Sequence, residues 1–257
     1  MGMYGWVDLK DKIRQYFSFS REETKAVIIS ILVVTFIVSF REWGTGTEIQ
    51  FGAGLYNFFN ALLVSALVVL IHISAQRIMG LHVGFRVEYK LWIYGVVISL
   101  VVCLLTRGYV WILIPGGIFA HHLAVHRLGY FRYGLNMLAF SFVAMAGSLA
   151  NIALAIILRG FLHFMPTNIL LYKAMIVSLW YAVLNMLPIP PLDGSRLFFT
   201  SRLTYAYVFG SILGAAIFLT IKIHVILAIL FSLILGGMSW LVFYIMFEKS
   251  AWKGPGA

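Results

Sequence analysis

The chain alternates long apolar runs with short polar stretches along almost its whole length. Several runs approach about 20 residues, the length that a helix needs to cross the hydrocarbon core of a bilayer. The pattern therefore predicts an all-α polytopic membrane protein with about six transmembrane helices. The predicted spans are residues 25–40, 55–79, 137–158, 168–187, 205–221 and 224–247.

The amino-terminal residues follow a different pattern. Apolar residues at helical spacing, Ile13 and Phe17 among them, alternate with charged ones, so 1–20 is predicted to be an amphipathic segment at the membrane interface. Ser20 and Glu23 have the spacing of a capping box, which begins the first span. The predicted organisation is this interfacial segment, a single transmembrane domain at 21–247 and a carboxy-terminal tail at 248–257.

The region from 81 to 120 is harder to interpret. Gly80 is expected to end the second span, and the alternation from Leu81 to Lys90 is typical of a short strand. Residues 91–120 are apolar but interrupted by a polar turn. They fit either one complete span or a re-entrant hairpin that enters and leaves on one side of the membrane.

The distribution of Lys and Arg separates these two topologies. With a cytoplasmic amino terminus and a hairpin at 91–120, fourteen cations lie on the cytoplasmic side and four on the other. A complete crossing would change the division to eleven against seven. The positive-inside rule therefore favours the hairpin, with six spans, a multi-pass position in the cell membrane and both termini in the cytoplasm.

Composition agrees with a membrane protein and limits the possible partners. The chain is 62% hydrophobic and only 11% charged, against roughly a quarter charged in soluble domains. The net charge of +10 is explained by the positive-inside bias and by contact with the lipid bilayer, since no basic and aromatic cluster lies outside the spans. We therefore expect no nucleic-acid partner. The lone Cys103 excludes a disulfide framework.

One carboxylate stands out in this apolar chain. Asp193 follows directly on an apolar helix that is broken by Pro188, Pro190 and Pro191. An ionisable group in a membrane segment is costly unless a polar neighbour or a cation compensates it, so Asp193 marks a candidate functional site. In the hairpin topology, His72 of the second span reaches the same membrane depth.

The residues around Asp193 resemble a known signature. The pattern Asn185-x-x-Pro188-x-x-x-Leu192-Asp193-Gly194 is similar to the second signature of the site-2 proteases, which are intramembrane zinc metalloproteases. The segments 76–80, 85–92, 114–117 and 146–151 are also similar to archaeal members, with Ser148 where the family has Pro. The resemblance implies that Asp193 is a zinc ligand and that Asn151, Asn185 and Pro188 lie where a client segment binds.

The first signature of that family, His-Glu-x-x-His, is degenerate here. If His72 is the first histidine, Gln76 takes the place of the second, and the glutamate is lost. If His72 is the second histidine, the missing ligand position is Val68 and the glutamate position is Val69. The distance to Gly80 favours the second register. In both registers one zinc ligand and the catalytic glutamate are absent, so no catalytic residue remains.

Other histidines could restore a metal site only by unusual geometry. His82 lies beyond Gly80, while His121, His122 and His126 include a pair four residues apart, a spacing that can bind metal on a helix. We expect these to be interfacial residues. We also expect His72 and Asp193 to make a structural contact, with zinc bound only if another ligand completes the site.

The resemblance therefore leads to two functional expectations. The first is a pseudoprotease, which binds a transmembrane segment of a client protein or acts as a scaffold subunit of a larger membrane complex, without a cofactor. The alternative is a divergent active intramembrane zinc metalloprotease that cleaves transmembrane substrates. A transporter or lipid-handling protein would instead need a polar stripe along several spans.

Overall fold

A computed structural model describes residues 3–44, 48, 50–122, 137–221 and 223–249. The chain is mostly helical, at 76%, with one small sheet. The helices are α1 Met3–Tyr16, α2 Arg21–Ser39, α3 Phe51–Val83, α4 Ile93–Leu105, α5 Met137–Phe164, α6 Ile169–Asn185, α7 Asp193–Thr200, α8 Arg202–Phe218 and α9 Val225–Phe243, and the strands are β1 Phe85–Leu91 and β2 Gly116–His122. A π-helical turn, Tyr244–Glu248, continues α9.

Within the described ranges, three helices are long and apolar enough to cross a membrane. They are α3, α5 and α9 with its π-helical extension, at 33, 28 and 24 residues. Helices α4, α6 and α8 are also apolar but have 13, 17 and 17 residues. These three membrane-length helices are consistent with a protein of the membrane.

The core forms where α3, α5 and α6 pack together, joined by α2 and β1. Side chains on the inner face of α3, such as Val64 and Val68, are at most 2% exposed. Helix α9 packs mainly on α8, and 17% of its most apolar stretch of 18 residues is buried. The candidate site residues therefore lie in the α3–α5–α6 core, with the α8–α9 pair at the periphery.

The expected strand begins later than the sequence suggested. Helix α3 continues through Gly80 and ends at Gly84, whose φ of 95° is the left-handed conformation that glycine adopts readily. The prediction that Gly80 ends the span was therefore wrong. Gly80 instead lets β1 pack closely on α3, because a Cβ there would overlap the side chain of Val87.

Strands β1 and β2 pair in an antiparallel ladder, in which Leu91 lies opposite Gly116. The segment that contains α4 therefore begins and ends side by side, as a hairpin requires. The alternation predicted for β1 is present, with Phe85, Val87 and Tyr89 buried on one face.

The capping box at the start of α2 forms as predicted, with Glu23 N–H donating to Ser20 Oγ. Glu23 has a second role that the sequence did not indicate. Its carboxylate pairs with the buried guanidinium of Arg77 and accepts the backbone N–H of Tyr89 at 2.9 Å. Arg77 also donates to the carbonyls of Phe17 and Ser18 at 2.8 Å, so this ion pair joins the α1–α2 connection, α3 and β1.

Candidate functional site

The structure brings His72 and Asp193 into direct contact. His72 lies in the middle of α3, and Asp193 is the first residue of α7, after the proline-rich loop that follows α6. The His72 Nε2 atom is 2.9 Å from Asp193 Oδ2, and both residues are 2% exposed. Two polar residues 121 positions apart therefore form one buried pair.

Gln76, one helical turn after His72, contacts the same carboxylate oxygen. Its Nε2 donates to Asp193 Oδ2 at 2.7 Å and to the carbonyl of Ala144 at 3.1 Å. Both partners are acceptors, so the opposite amide orientation would place three oxygens together. The chemistry of the neighbours therefore fixes the Gln76 NH₂ group, a donor, against Asp193.

The other nitrogen of the His72 ring faces α5. Asn151 Nδ2 lies 3.3 Å from His72 Nδ1, while the Asn151 backbone carbonyl accepts the hydroxyl of Ser178 at 2.9 Å. The two ring nitrogens of His72 therefore face different partners, Nδ1 the Asn151 amide and Nε2 the Asp193 carboxylate. The Gln76 amide therefore orients the Asp193 carboxylate, and the Asn151 amide orients the His72 imidazole.

Close packing holds the imidazole in place. A Cβ on Gly147 would lie 2.6 Å from His72 Nε2, so only glycine lets α5 approach the ring this closely. The ring of Tyr181 on α6 meets the imidazole edge to face, with centroids 5.0 Å apart. Three helices therefore surround His72 and leave little freedom for its side chain.

Helix α7 is attached to β2 through Arg196. Its Nη2 donates to the carbonyl of Ile118 at 2.6 Å, and its guanidinium lies 4.4 Å from the centre of the Phe140 ring. Burial lowers the pKa of Arg196, while the nearby Asp193 charge acts in the opposite direction. Arg196 contacts the sheet, and the described hydrogen bonds to Asp193 come from His72 and Gln76.

These residues do not fit a catalytic zinc ion. A zinc site of this type needs three protein ligands with free lone pairs and one open position for water. His72 and Asp193 supply two such ligands, and the third neighbour is the Gln76 amide, which donates an N–H to the carboxylate. Among the described residues, no group of three His, Cys, Asp or Glu side chains could hold a metal.

The residues of the second register lie in the core. Val68 and Val69 are fully buried and offer no polar atom. The sequence analysis named Val68 as the position of the missing ligand. In the structure it is Gln76, not counted there among the site residues, that lies beside His72 and Asp193. Its spacing from His72 could have indicated this role, since residues four apart share one helix face.

The three residues expected to bind a client segment differ in exposure and in their contacts. Asn151 is fully buried against His72, and Asn185 is 3% exposed with its amide donating to the Tyr181 carbonyl at 2.8 Å. Pro188 is exposed in the loop before α7. The structure thus brings Asn151 to the His72–Asp193 pair, while Pro188 faces outward.

The remaining histidines do not join this pair where they are described. His82 is exposed near the end of α3, about 15 Å along the helix from His72. His121 is exposed on β2, 3.7 Å from the carboxylate of Glu88. The backbone of His122 is part of β2, and His126 lies outside the described residues.

The fold and the site together define a mostly helical protein of membrane type with a buried polar group at His72 and Asp193. The chain is similar to a Methanocaldococcus jannaschii protein named "Putative zinc metalloprotease", with 25% identity over 209 residues. The match covers 79% of this chain and 97% of that archaeal protein. This similarity supports a metalloprotease-like family. No family model matches the chain, and no solved structure matches it.

Proposed function

We propose that this chain is a site-2-protease-like multi-pass membrane protein that no longer cleaves peptides. In this role it binds a transmembrane segment of a client protein or serves as a scaffold subunit of a membrane complex. The proposal is supported by the residues of the second signature around Asp193 and by the similarity to an archaeal protein with a metalloprotease name.

The observation that carries the proposal is the Gln76 amide against Asp193. A histidine at this position would present a lone pair to a metal, whereas Gln76 donates a hydrogen to the carboxylate. The Oδ2 atom of this carboxylate thereby has two nitrogen neighbours, while Oδ1 is buried with no described partner. A hydrogen-bonded group of His72, Gln76, Asp193 and Asn151 takes the place of a metal centre and joins α3, α5 and α7.

The contact also bears on the register of the degenerate motif. In a His-Glu-x-x-His motif the two histidines, four residues apart, meet the same metal. His72 and Gln76 have this spacing and meet the same oxygen, so we infer that His72 corresponds to the first histidine. The position of the glutamate is then Ile73, which is 1% exposed and has no proton to exchange.

The alternative is a divergent active intramembrane zinc metalloprotease. It would require a third ligand near Asp193 and a general base for the attacking water. His82 and His121, the described candidates, are exposed and lie away from the carboxylate. The donor set at Asp193 therefore favours the non-proteolytic function.

The proposed membrane arrangement uses α2, α3, α5, α6, α8 and α9 as six spans. The β1–α4–β2 segment is the re-entrant hairpin, and both termini are cytoplasmic in the cell membrane. The antiparallel pairing of β1 with β2 and the Lys and Arg distribution support this arrangement. In this arrangement, a client segment binds at the exposed loop around Pro188.

A single-span model substrate, reconstituted with the full chain in proteoliposomes, tests the proposal. A photocrosslinking amino acid at Ile189, 47% exposed in the loop after Pro188, is compared with one at Ile234, 56% exposed on α9. We expect substrate crosslinks from Ile189 above those from Ile234, with no cleavage product. Cleavage that disappears in Asp193→Ala would contradict the loss of proteolysis, and equal crosslinking from both positions would contradict client binding at the loop.

A further inference from the structure

A cavity lies at the end of the bundle far from Asp193. Thr200 of α7 contacts the Met137 carbonyl at the start of α5, so the other end of α5 lies across the molecule. There, the last turns of α5, the first turn of α6, the segment between α8 and α9 and the start of α9 line an open cavity of about 780 Å³. This is large enough for a polar headgroup together with part of an acyl chain.

The lining of this cavity is basic. Arg159, His163 and His224 supply nitrogen donors, Tyr172 supplies a hydroxyl, and the lining residues include no Asp or Glu. Arg159 Nη2 donates to the Ile221 carbonyl at 3.1 Å, a single bond of the five that a guanidinium can make. Among the described lining residues, the site therefore offers a cation with unused donors and no carboxylate to neutralise it.

A neighbouring cavity at the same end provides a contrast. It has about 710 Å³ and is lined by Glu42 and Lys173, whose side chains form an ion pair. The charge of that lysine is compensated within the protein. The cavity at Arg159 lacks such compensation among its lining residues, so it is the one suited to an anion.

The start of α9 adds to this positive character. His224 is the N-cap of α9, and its Nδ1 accepts the N–H of Ile226 at 3.4 Å. The Nε2 hydrogen is thus left for another partner, and the positive end of the α9 dipole faces the same region. These groups act together with Arg159.

The rest of the wall is apolar. Leu162, Phe164, Ile223 and Val225 line it, and Phe164 is 81% exposed at the end of α5. A freely soluble anion gains nothing from such a wall, while the glycerol and upper acyl carbons of a lipid would be buried against it. A cation beside an apolar wall therefore suits a lipid, whose phosphate meets the cation while its carbon chain meets the wall.

We propose that this cavity binds the phosphate of an anionic membrane lipid, with Arg159 as its main contact. The proposal depends on the membrane position of the chain and is independent of whether the His72–Asp193 site cleaves peptides. It assigns the end of the bundle opposite that site to lipid recognition.

Native mass spectrometry of the full chain, released from detergent, tests this assignment. Phosphatidylglycerol is the anionic probe, phosphatidylcholine the zwitterionic one and glycerol phosphate the soluble one. We expect one phosphatidylglycerol to be retained, and its Kd to rise about tenfold in Arg159→Gln but not in Arg159→Lys. Arg41→Gln is the matched control, because Arg41 is an exposed cation at the end of α2, beside Glu42.

Tyr172→Phe supplies a second variant that keeps the shape of the wall. It should weaken phosphatidylglycerol retention a few-fold while leaving thermal unfolding in detergent unchanged. Equal retention by wild type and Arg159→Gln, or equal loss in Arg41→Gln, would overturn the assignment. Glycerol phosphate binding as tightly as the lipid, with the same dependence on Arg159, would also overturn it, because the ligand would then be a soluble phosphate.

Discussion

At the residue scale, the central feature is the asymmetry of the Asp193 carboxylate. Oδ2 accepts hydrogen bonds from His72 and Gln76, while Oδ1 is buried and has no described partner. A metal ligand would have its lone pair directed to the ion, whereas this oxygen is already saturated with donors. The role of Asp193 is therefore to hold α7 against α3.

Replacement of Asp193 should separate a hydrogen-bonding role from a charge role. In Asp193→Asn the amide oxygen can accept both bonds, so we expect a loss of about 1 kcal/mol. In Asp193→Ala two buried donors lose their acceptor, and we expect a loss of roughly 2–4 kcal/mol. Thermal unfolding in detergent, followed by tryptophan fluorescence, measures the difference. Equal destabilisation by the two variants would contradict the hydrogen-bonding role.

The position of the His72 ring depends on Gly147. In Gly147→Ala the new methyl would lie 2.6 Å from the ring, so we expect a loss of about 1–3 kcal/mol as the imidazole moves away from Asp193. Gly160→Ala is the control on the same helix, because no atom lies within 4 Å of a Cβ there. That variant should gain up to about 1 kcal/mol from helix propensity. A Gly147→Ala protein as stable as wild type would show that the ring is not confined.

Sequence reasoning reached part of the site and missed its decisive residue. The pairing of His72 with Asp193 followed from topology, because charge distribution and span counting brought both to one membrane depth. The role of Gln76 could not be derived, because an amide in a helix has several possible partners until the fold places Asp193 and Ala144 beside it. Packing of α3 against α5 and α7 decides among them.

At the scale of elements, α3 joins the site to the amino-terminal part of the chain. Gln76 contacts Asp193, and the next residue, Arg77, pairs with Glu23 and contacts the α1–α2 connection. Both ion-pair partners are at most 4% exposed. The end of α3 therefore anchors α2 and β1 through a buried charge pair.

Removal of one partner of the Arg77–Glu23 ion pair should lower the stability of the protein. Arg77→Leu leaves the Glu23 charge buried without compensation, and we expect a loss of about 3–5 kcal/mol. Arg86→Leu is the matched control, since Arg86 is exposed on β1 and lies 3.7 Å from Glu88. It should change stability by less than about 0.5 kcal/mol. Similar unfolding temperatures for Arg77→Leu and wild type would contradict an anchoring role.

The sequence predicted those features of the helices and strands that depend on residues close together in the chain. The capping box at Ser20 and the alternation within β1 depend on neighbours in sequence, and both were read correctly. The end of α3 was misplaced because two glycines, Gly80 and Gly84, lie near it. Only the packing of Val87 on Gly80 distinguishes a close contact from a terminator.

At the scale of the whole molecule, two polar features occupy opposite ends of an apolar bundle. One is the hydrogen-bonded His72–Gln76–Asp193 group, and the other is the basic cavity at Arg159. In the proposed function, the first group holds the helices together by hydrogen bonds where a protease would hold a metal. We infer that the chain retains its architecture for binding within the membrane rather than for chemistry.

The most direct test of this account is the zinc content of the purified full chain, measured by elemental analysis beside three variants. Asp193→Ala sets the background, and Gln76→His restores a lone pair at the position of the third ligand, with Val68→His as the control for the other register. We predict that wild type and Val68→His contain no more zinc than Asp193→Ala, and that Gln76→His gains it. Stoichiometric zinc in wild type that is lost in Asp193→Ala would contradict the account.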